Sequence, residues 1–258
     1  MKFYKYQGTG NDFVMIDNRS LTFDKSNVAV IENLCNRRFG IGGDGLILLE
    51  NHAAYDFEMV YFNSDGKQSS MCGNGGRCIV AFAKKLQIIE QATAFIAIDG
   101  VHHANVADNG EVSLQMIDIE TISFTENHVF LNSGSPHHIE MVDDLKNIDV
   151  QKNGSEIRYS KRYEPDGSNV NFVSKINDHT FAIRTYERGV EAETLSCGTG
   201  ATAAAIAVHA WKSTEATSIN IMVQGGQLRI DFDVIDNCYK NIYLTGKAVF
   251  VFEGDFLI

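Results

Sequence analysis

The chain has 258 residues, 44% hydrophobic and 21% charged, enough for one large core or two of roughly 125 residues each. Its formal net charge of −11 and lack of a basic run argue against nucleic acid, and no apolar run reaches the roughly 18 residues of a membrane span. The stretch Met1 to Tyr6 meets Gly8 and Asn11 too soon for a signal-peptide core, so a cytoplasmic location is expected, with all five cysteines reduced.

Phe3 to Tyr6 and Phe13 to Asp17 read as strands around a Gly-rich turn. Asn27 to Arg38, apolar at Val28, Val30, Ile31 and Leu34, reads as an amphipathic helix. Leu46 to Glu50 and Tyr55 to Asn63 read as strands, and Gly75 to Leu86 as a buried helix of small and apolar residues. Phe95 to Asp99, His102 to Ala107 and Glu111 to Met116 follow as strands, with turns at Gly100 and Asn109-Gly110. The scheme then repeats. Val129 to Asn132 and His138 to Val142 flank a turn at Pro136, and Asn169 to Ile176 and Thr180 to Glu187 form a hairpin across Asn177-Asp178. Gly200 to Trp211 is an Ala-rich buried helix, and strands continue to the end. The expected fold is α+β, with two pseudo-symmetric halves. Each is a curled, mostly antiparallel sheet, barrel-like around one apolar helix. The boundary is expected near Ile117 to Ile122, giving residues 1–117 and 118–247 as the halves.

The repeat extends to motifs. Ser70-Met71-Cys72-Gly73-Asn74-Gly75 matches Leu195-Ser196-Cys197-Gly198-Thr199-Gly200, with the cysteines 125 positions apart. Gly10 and Gly134 are 124 apart, as are Asn63 and Glu187; Asp44 and Asp166 are 122 apart. Small polar loops recur by chance, but four in order at offsets of 122 to 125 point to a duplication. Each of these cysteines stands where a helix is about to start. Free N–H groups and the helix dipole there favour a thiolate and cradle a carboxylate. Gly73, Gly75, Gly198 and Gly200 let a ligand approach the backbone closely. Cys35, Cys78 and Cys238 lack this context and read as buried filler.

Other patterns carry less. Gly40-Ile41-Gly42-Gly43-Asp44-Gly45 fits a dinucleotide fingerprint, but a helix precedes it and a strand follows, the reverse of what that site needs. His102-His103 and His137-His138 are neighbours that point to opposite faces of a strand, so no metal site is expected. Asn11, Asn63, His137, Asn169, Glu187 and Arg188 sit at turns and strand ends. Singly each is a turn-capping residue. As a set beside two thiols they suit a small zwitterion, with Arg188 forked onto a carboxylate and Glu187 near an ammonium.

The motifs Gly8-Thr9-Gly10-Asn11-Asp12-Phe13, Phe62-Asn63-Ser64-Asp65-Gly66, Met71-Cys72-Gly73-Asn74-Gly75-Gly76-Arg77-Cys78, Asn169-Val170-Asn171-Phe172 and Glu187-Arg188-Gly189 through Cys197-Gly198-Thr199-Gly200 closely resemble the diaminopimelate epimerase family. The resemblance runs in order along nearly the whole chain. It implies an isomerase of lysine and cell-wall precursor biosynthesis that interconverts LL- and meso-diaminopimelate. It also implies no cofactor, a homodimer, an active site in a cleft between the halves, and a C-terminal strand, about 248–258, returning to the first half. By that resemblance Cys72 and Cys197 are the catalytic donor and acceptor for one direction, with the roles swapped for the other. Asn11, Asn63, Asn169 and Arg188 hold the substrate, and the backbone around Gly73-Asn74 and Gly198-Thr199 holds its reacting carboxylate. His137 and Glu187 tune the thiols. Ser135 departs from the family, where many relatives have Asn before Pro-His. The competing readings are a proline-racemase-like enzyme with the same two thiols, and an amino-acid-binding protein with inert thiols.

Overall fold

The computed structural model describes residues 1–125 and 127–257. Ile258, where the returning strand was expected to end, and Glu126 lie outside the described residues. The chain divides into two units, Met1–Leu114 with Gly246–Ile258, and Gln115–Thr245.

In the first unit Lys2–Gly8 and Asn11–Asp17 form a hairpin. Helix α1 (Val28–Cys35) then carries the chain across, so that Gly45–Glu50 runs parallel to Asn11–Asp17, with Phe13 opposite Gly45. Glu58–Asn63 pairs antiparallel with Gly45–Glu50, and short Gln68–Ser69 leads into α2 (Gly73–Lys85). Ala92–Ala97 lies parallel to Glu58–Asn63 and continues into the meander Gly100–Val106 and Glu111–Gln115. Val249–Asp255 closes the unit, antiparallel to Lys2–Gly8.

The second unit repeats this order. Val129–Asn132 and Pro136–Met141 form a hairpin, and α3 (Val150–Arg158) crosses over. Asn169–Asn177 runs parallel to Pro136–Met141 with His137 opposite Asn169, and pairs antiparallel with Thr180–Glu187. After Ala192–Thr194 comes α4 (Gly198–Ala210), then Ser218–Val223, parallel to Thr180–Glu187, and the antiparallel strands Gly226–Ile235 and Cys238–Lys247. The two parallel registers, Phe13 with Gly45 and His137 with Asn169, differ by the same 124 positions. The duplication read from loops is therefore also a duplication of strand pairing.

Both α2 and α4 bury ten of their thirteen residues. That is the environment of a helix surrounded by strands rather than laid on one. Helix α4 carries Ala201, Ala203 to Ala205, Ile206, Ala207 and Val208 into a core with Val129, Leu131, Ile139, Phe181, Ile219 and Ile221. Among the described residues no helix is long and apolar enough to cross a membrane.

The element boundaries moved for identifiable reasons. Both central helices start two residues earlier than expected, at Gly73 and Gly198. Glycine's poor helix propensity disguised turns that burial forces into helical form. Helix α1 stops at Cys35 instead of Arg38, because Asn36 turns extended and its Oδ1 accepts the N–H groups of Arg38 and Phe39. Pro136 opens a strand instead of forming the turn, a position where its missing N–H costs no ladder bond. Helix α3 was not anticipated, since only Val150 and Gly154 of its nine residues are buried and the apolar pattern is faint. Its cap is clear: Asp149 accepts the Lys152 N–H at 2.9 Å.

Candidate active site

Cys72 and Cys197 are themselves the N-caps of α2 and α4. Cys72 Sγ accepts the N–H of Gly75 at 3.2 Å, and Cys197 Sγ accepts that of Gly200 at 3.3 Å. Each sulfur occupies the place of the Ser or Asp oxygen that usually caps a helix. A thiolate gains more from this position than a thiol, because the donor N–H and the dipole both favour negative charge. Cys197 is buried and Cys72 half-buried.

In the second unit a continuous chain of hydrogen bonds ends on Cys197. The Asn171 amide donates from Nδ2 to the His138 carbonyl and to His137 Nδ1, both at 3.0 Å, and its Oδ1 accepts from Thr185. A carbonyl can only accept, so the amide NH2 must face His137 and Nδ1 must be the acceptor. The ring hydrogen then sits on Nε2, 3.0 Å from both Ser135 Oγ and Thr199 Oγ1. Thr199 Oγ1 in turn lies 3.4 Å from Cys197 Sγ, within reach for donation to sulfur. Burial, with the positive charge of Arg188 adding to it, pushes His137 from 6.5 down to about 3. The imidazole is therefore neutral at pH 7 and acts as a fixed donor, not a cation. Gly200 is confined by the same chain: a Cβ there would lie 2.6 Å from Asn171 Oδ1.

Asn169 lies beside this chain, its Nδ2 donating to Ser135 Oγ and the Pro136 carbonyl at 3.1 Å and its Oδ1 accepting the Arg188 N–H at 2.9 Å. Ser135, the departure from the family pattern, is thus joined to His137, Asn169 and Thr199. Arg188 is half-buried, with Nη1 donating to the Asp166 carbonyl at 3.3 Å. Glu187 ends its strand and accepts from Thr194 Oγ1. Gly198 is buried in the first turn of α4.

In the first unit Asn74 Nδ2 donates to Asn11 Oδ1 at 3.2 Å, and Asn11 Nδ2 donates to Asp44 Oδ2. Arg37 spans Asp12 and Asp44, and Lys5 pairs with Asp12 at 2.7 Å, which fixes the loop that carries Asn11. Asn63 is exposed at the end of its strand, opposite Gly45, which itself pairs with Phe13. Asn11, Asn74, Gly73 and Cys72 therefore gather at one end of the first unit's sheet, with Asn63 in the adjoining row. Burial pushes Cys35 up to about 11 and Cys78 up to about 12, which leaves both protonated and unreactive at neutral pH.

Sequence reading missed Asn171, Thr185, Thr9 and Arg77 as parts of these networks. Asn171 carried a usable signal: it is two residues from Asn169 on one strand, so the two share a face. Arg77 is the one charged residue from Gly73 to Ala83, a run otherwise small, apolar or amide. Among the described residues no group of three or more His, Cys, Asp and Glu side chains converges as metal ligands.

A family model described as diaminopimelate epimerase matches residues 3–122 and 129–251. A diaminopimelate epimerase of Flavobacterium psychrophilum is 60% identical over 253 residues, covering 98% of this chain and 99% of the relative. One from Aquifex aeolicus is 39% identical, covering 98% and 97%. Among solved structures, a phenazine biosynthesis protein of the PhzF family from Bacillus anthracis superposes with a TM-score of 0.77 at 15% identity, covering 100% of this chain and 99% of its own. A probable proline racemase from Agrobacterium radiobacter gives 0.68 at 13% identity, covering 100% and 93%. At such identities these two structures speak to the fold alone.

Proposed function

The chain belongs to the diaminopimelate epimerase family, an isomerase family, and from that premise we propose that it interconverts LL- and meso-diaminopimelate with two cysteines and no cofactor. One cysteine, as thiolate, removes the α-proton; the other, as thiol, delivers a proton to the opposite face. Two bases are needed because a single one returns the proton to the side it left. The reading rests on one observation above all: both sulfurs cap a central helix in the same way, at 3.2 and 3.3 Å from the third N–H.

An α-proton beside a carboxylate is a very weak acid. N–H groups at the two helix starts, around Gly73-Asn74 and Gly198-Thr199, stabilise the negative charge that builds on the carboxylate in the transition state. Asn11, Asn63, Asn169 and Arg188 hold the rest of the substrate, and Arg188 suits its second carboxylate. His137 and Glu187 tune the two thiols, His137 reaching Cys197 through Thr199. The two thiols share about one proton, so their titrations belong to the pair.

In D2O the protein should place deuterium at the α-carbon of diaminopimelate while inverting it. Cys72→Ala and Cys197→Ala should each abolish inversion. Normal inversion by either variant refutes the two-thiol mechanism, and ligand binding without any α-deuteration favours a binding protein. The setting is cytoplasmic and the assembly a homodimer, for which the exposed strand with Val249 and Val251 on one face and Phe250 and Phe252 on the other offers apolar contact area. Val251→Glu should then shift sedimentation from dimer toward monomer, and a wild-type monomer refutes the assembly.

A further inference from the structure

Arg77 stands where stability alone does not explain it. It is 0% exposed and the largest fully buried side chain of the described residues. Nη1 donates to the Gly73 carbonyl at 3.1 Å, and Nη2 donates to Thr9 Oγ1 at 3.1 Å and Asn74 Oδ1 at 2.9 Å. Its Nε–H is buried without an acceptor, and among the described residues no carboxylate pairs with the guanidinium. Burying a charge without a counter-ion is costly. A cation near a helix N-terminus also meets the positive end of the dipole. Both penalties fall on one residue, beside one of the two N-cap cysteines.

The duplication supplies the contrast. The offset of 125 that relates Cys72 to Cys197 takes Arg77 to Thr202. There a neutral hydroxyl donates to the Gly198 carbonyl at 3.1 Å, the bond that Arg77 makes to Gly73 in the first unit. The second unit thus sets a neutral threonine and a neutral histidine chain behind its thiol, with its cation, Arg188, only half-buried at a strand end, and the first sets a fully buried positive charge. That difference favours a negative charge on the first sulfur over the second.

We propose that Arg77 is the buried counter-charge of Cys72 and makes Cys72 the ionised thiol of the ligand-free protein, with Cys197 protonated. Arg77 touches no reacting atom in this scheme; it is a positioning residue that acts through Cys72. The inference rests on the two-thiol reading above. The resting protein is then ready for the direction in which Cys72 takes the α-proton and Cys197 gives one. For the reverse direction Cys72 first gains a proton from solvent and Cys197 loses one to it.

Cys78, the buried thiol next to Arg77, also feels its charge but is pushed up to about 12 by burial and stays protonated, and the other charges on the elements around α2 are matched. Lys5 and Arg37 pair with Asp12, Arg19 with Asp17, Lys25 with Glu50, Lys2 and Lys85 with Glu253, and Lys84 with Asp108. Asp99, which accepts the Met71 N–H beside Cys72, pairs with His102; Tyr4, Tyr6 and exposed His103 and Asp255 complete the set. Around α4, His138 pairs with Glu140, Arg184 with Glu193, Lys175 with Asp178 and Arg229 with Asp231. Asp233 accepts from Asn241, and Glu187 and Arg188 lie half-buried at the end of a strand.

The test is the pH profile of alkylation by iodoacetamide, read separately at Cys72 and Cys197 by peptide mass spectrometry on the ligand-free protein. Only the thiolate reacts, so each profile follows the ionised fraction of one sulfur within the coupled pair. In the wild type Cys72 should have the lower midpoint. Arg77→Met should raise the Cys72 midpoint by about one pH unit or more, a tenfold loss of thiolate, and leave the Cys197 midpoint unmoved or lower, because the pair shares its proton. Arg77→Lys keeps the charge and should keep the order. A wild-type midpoint for Cys72 at or above that of Cys197 overturns the proposal, as does a folded Arg77→Met whose Cys72 profile is unchanged or whose two midpoints rise together. If Arg77→Met does not fold, the wild-type order and Arg77→Lys decide, and loss of the order in Arg77→Lys overturns it. The α-deuteration assay on the cysteine variants judges the two-thiol reading independently of these profiles.

Discussion

Thr199→Val isolates the link between the neutral histidine and the second thiol. Valine matches threonine in shape, so the change removes a hydroxyl and little else. Thr199 Oγ1 lies 3.4 Å from Cys197 Sγ and 3.0 Å from His137 Nε2. In the variant His137 Nε2–H still has Ser135 Oγ at 3.0 Å, so no buried donor is orphaned and the stability cost is about 1 kcal/mol or less. Catalysis loses a donor to a charged sulfur, an interaction worth about 1.5–3 kcal/mol. The long O···S distance places it at the lower end. Inversion should slow about tenfold to thirtyfold, at about 1.4 kcal/mol per factor of ten. The assay is α-deuterium incorporation at saturating diaminopimelate, with thermal unfolding in parallel. Thr199→Ser keeps the hydroxyl and should restore most of the rate. A folded Thr199→Val with the wild-type rate and pH profile refutes the idea that this hydroxyl serves the thiol.

Two further outcomes follow from the same chain of contacts. His137 is held at about 3 by burial, below its ordinary 6.5, so the unfolded chain binds a proton there that the native protein does not. Its contribution is present above pH 6.5 and is lost as pH falls toward 3; in urea unfolding at pH 7, 5 and 4, His137→Gln should show a shallower decline than the wild type, and equal slopes would remove His137 from the account. Gly200→Ala puts a Cβ 2.6 Å from Asn171 Oδ1 and must displace that amide from His137. About 1–3 kcal/mol of stability should be lost, seen as a lower Tm and a slower inversion together, and an unchanged Tm counts against the tight fit.

How much of the site could be read in advance depended on what each residue does. The cysteines were legible because helix-capping and glycine-rich spacing are local patterns repeated 125 positions apart. Asn11, Asn169 and Arg188 were legible as polar residues at strand ends within recognisable motifs. Asn171 and Thr185 were not, because each acts by holding another side chain, a relation fixed by strand pairing between distant segments. Helix α3 escaped notice because its partner surface, Val170, Phe172 and Tyr186, lies elsewhere in the chain.

The chain by itself determined the duplication, the strand–helix order of each half except for α3, and the two thiols at helix starts. All of these follow from short-range rules of periodicity, capping and turn formation. Tertiary structure alone decided that His137 is neutral, that Asn171 sets its tautomer, and that Arg77 is buried without a carboxylate. Charge state and hydrogen-bond direction depend on desolvation and on partners brought from far along the chain. The copies already differ in sequence at Arg77 and Thr202; burial turns that difference into an uncompensated cation near one thiol and a neutral relay near the other.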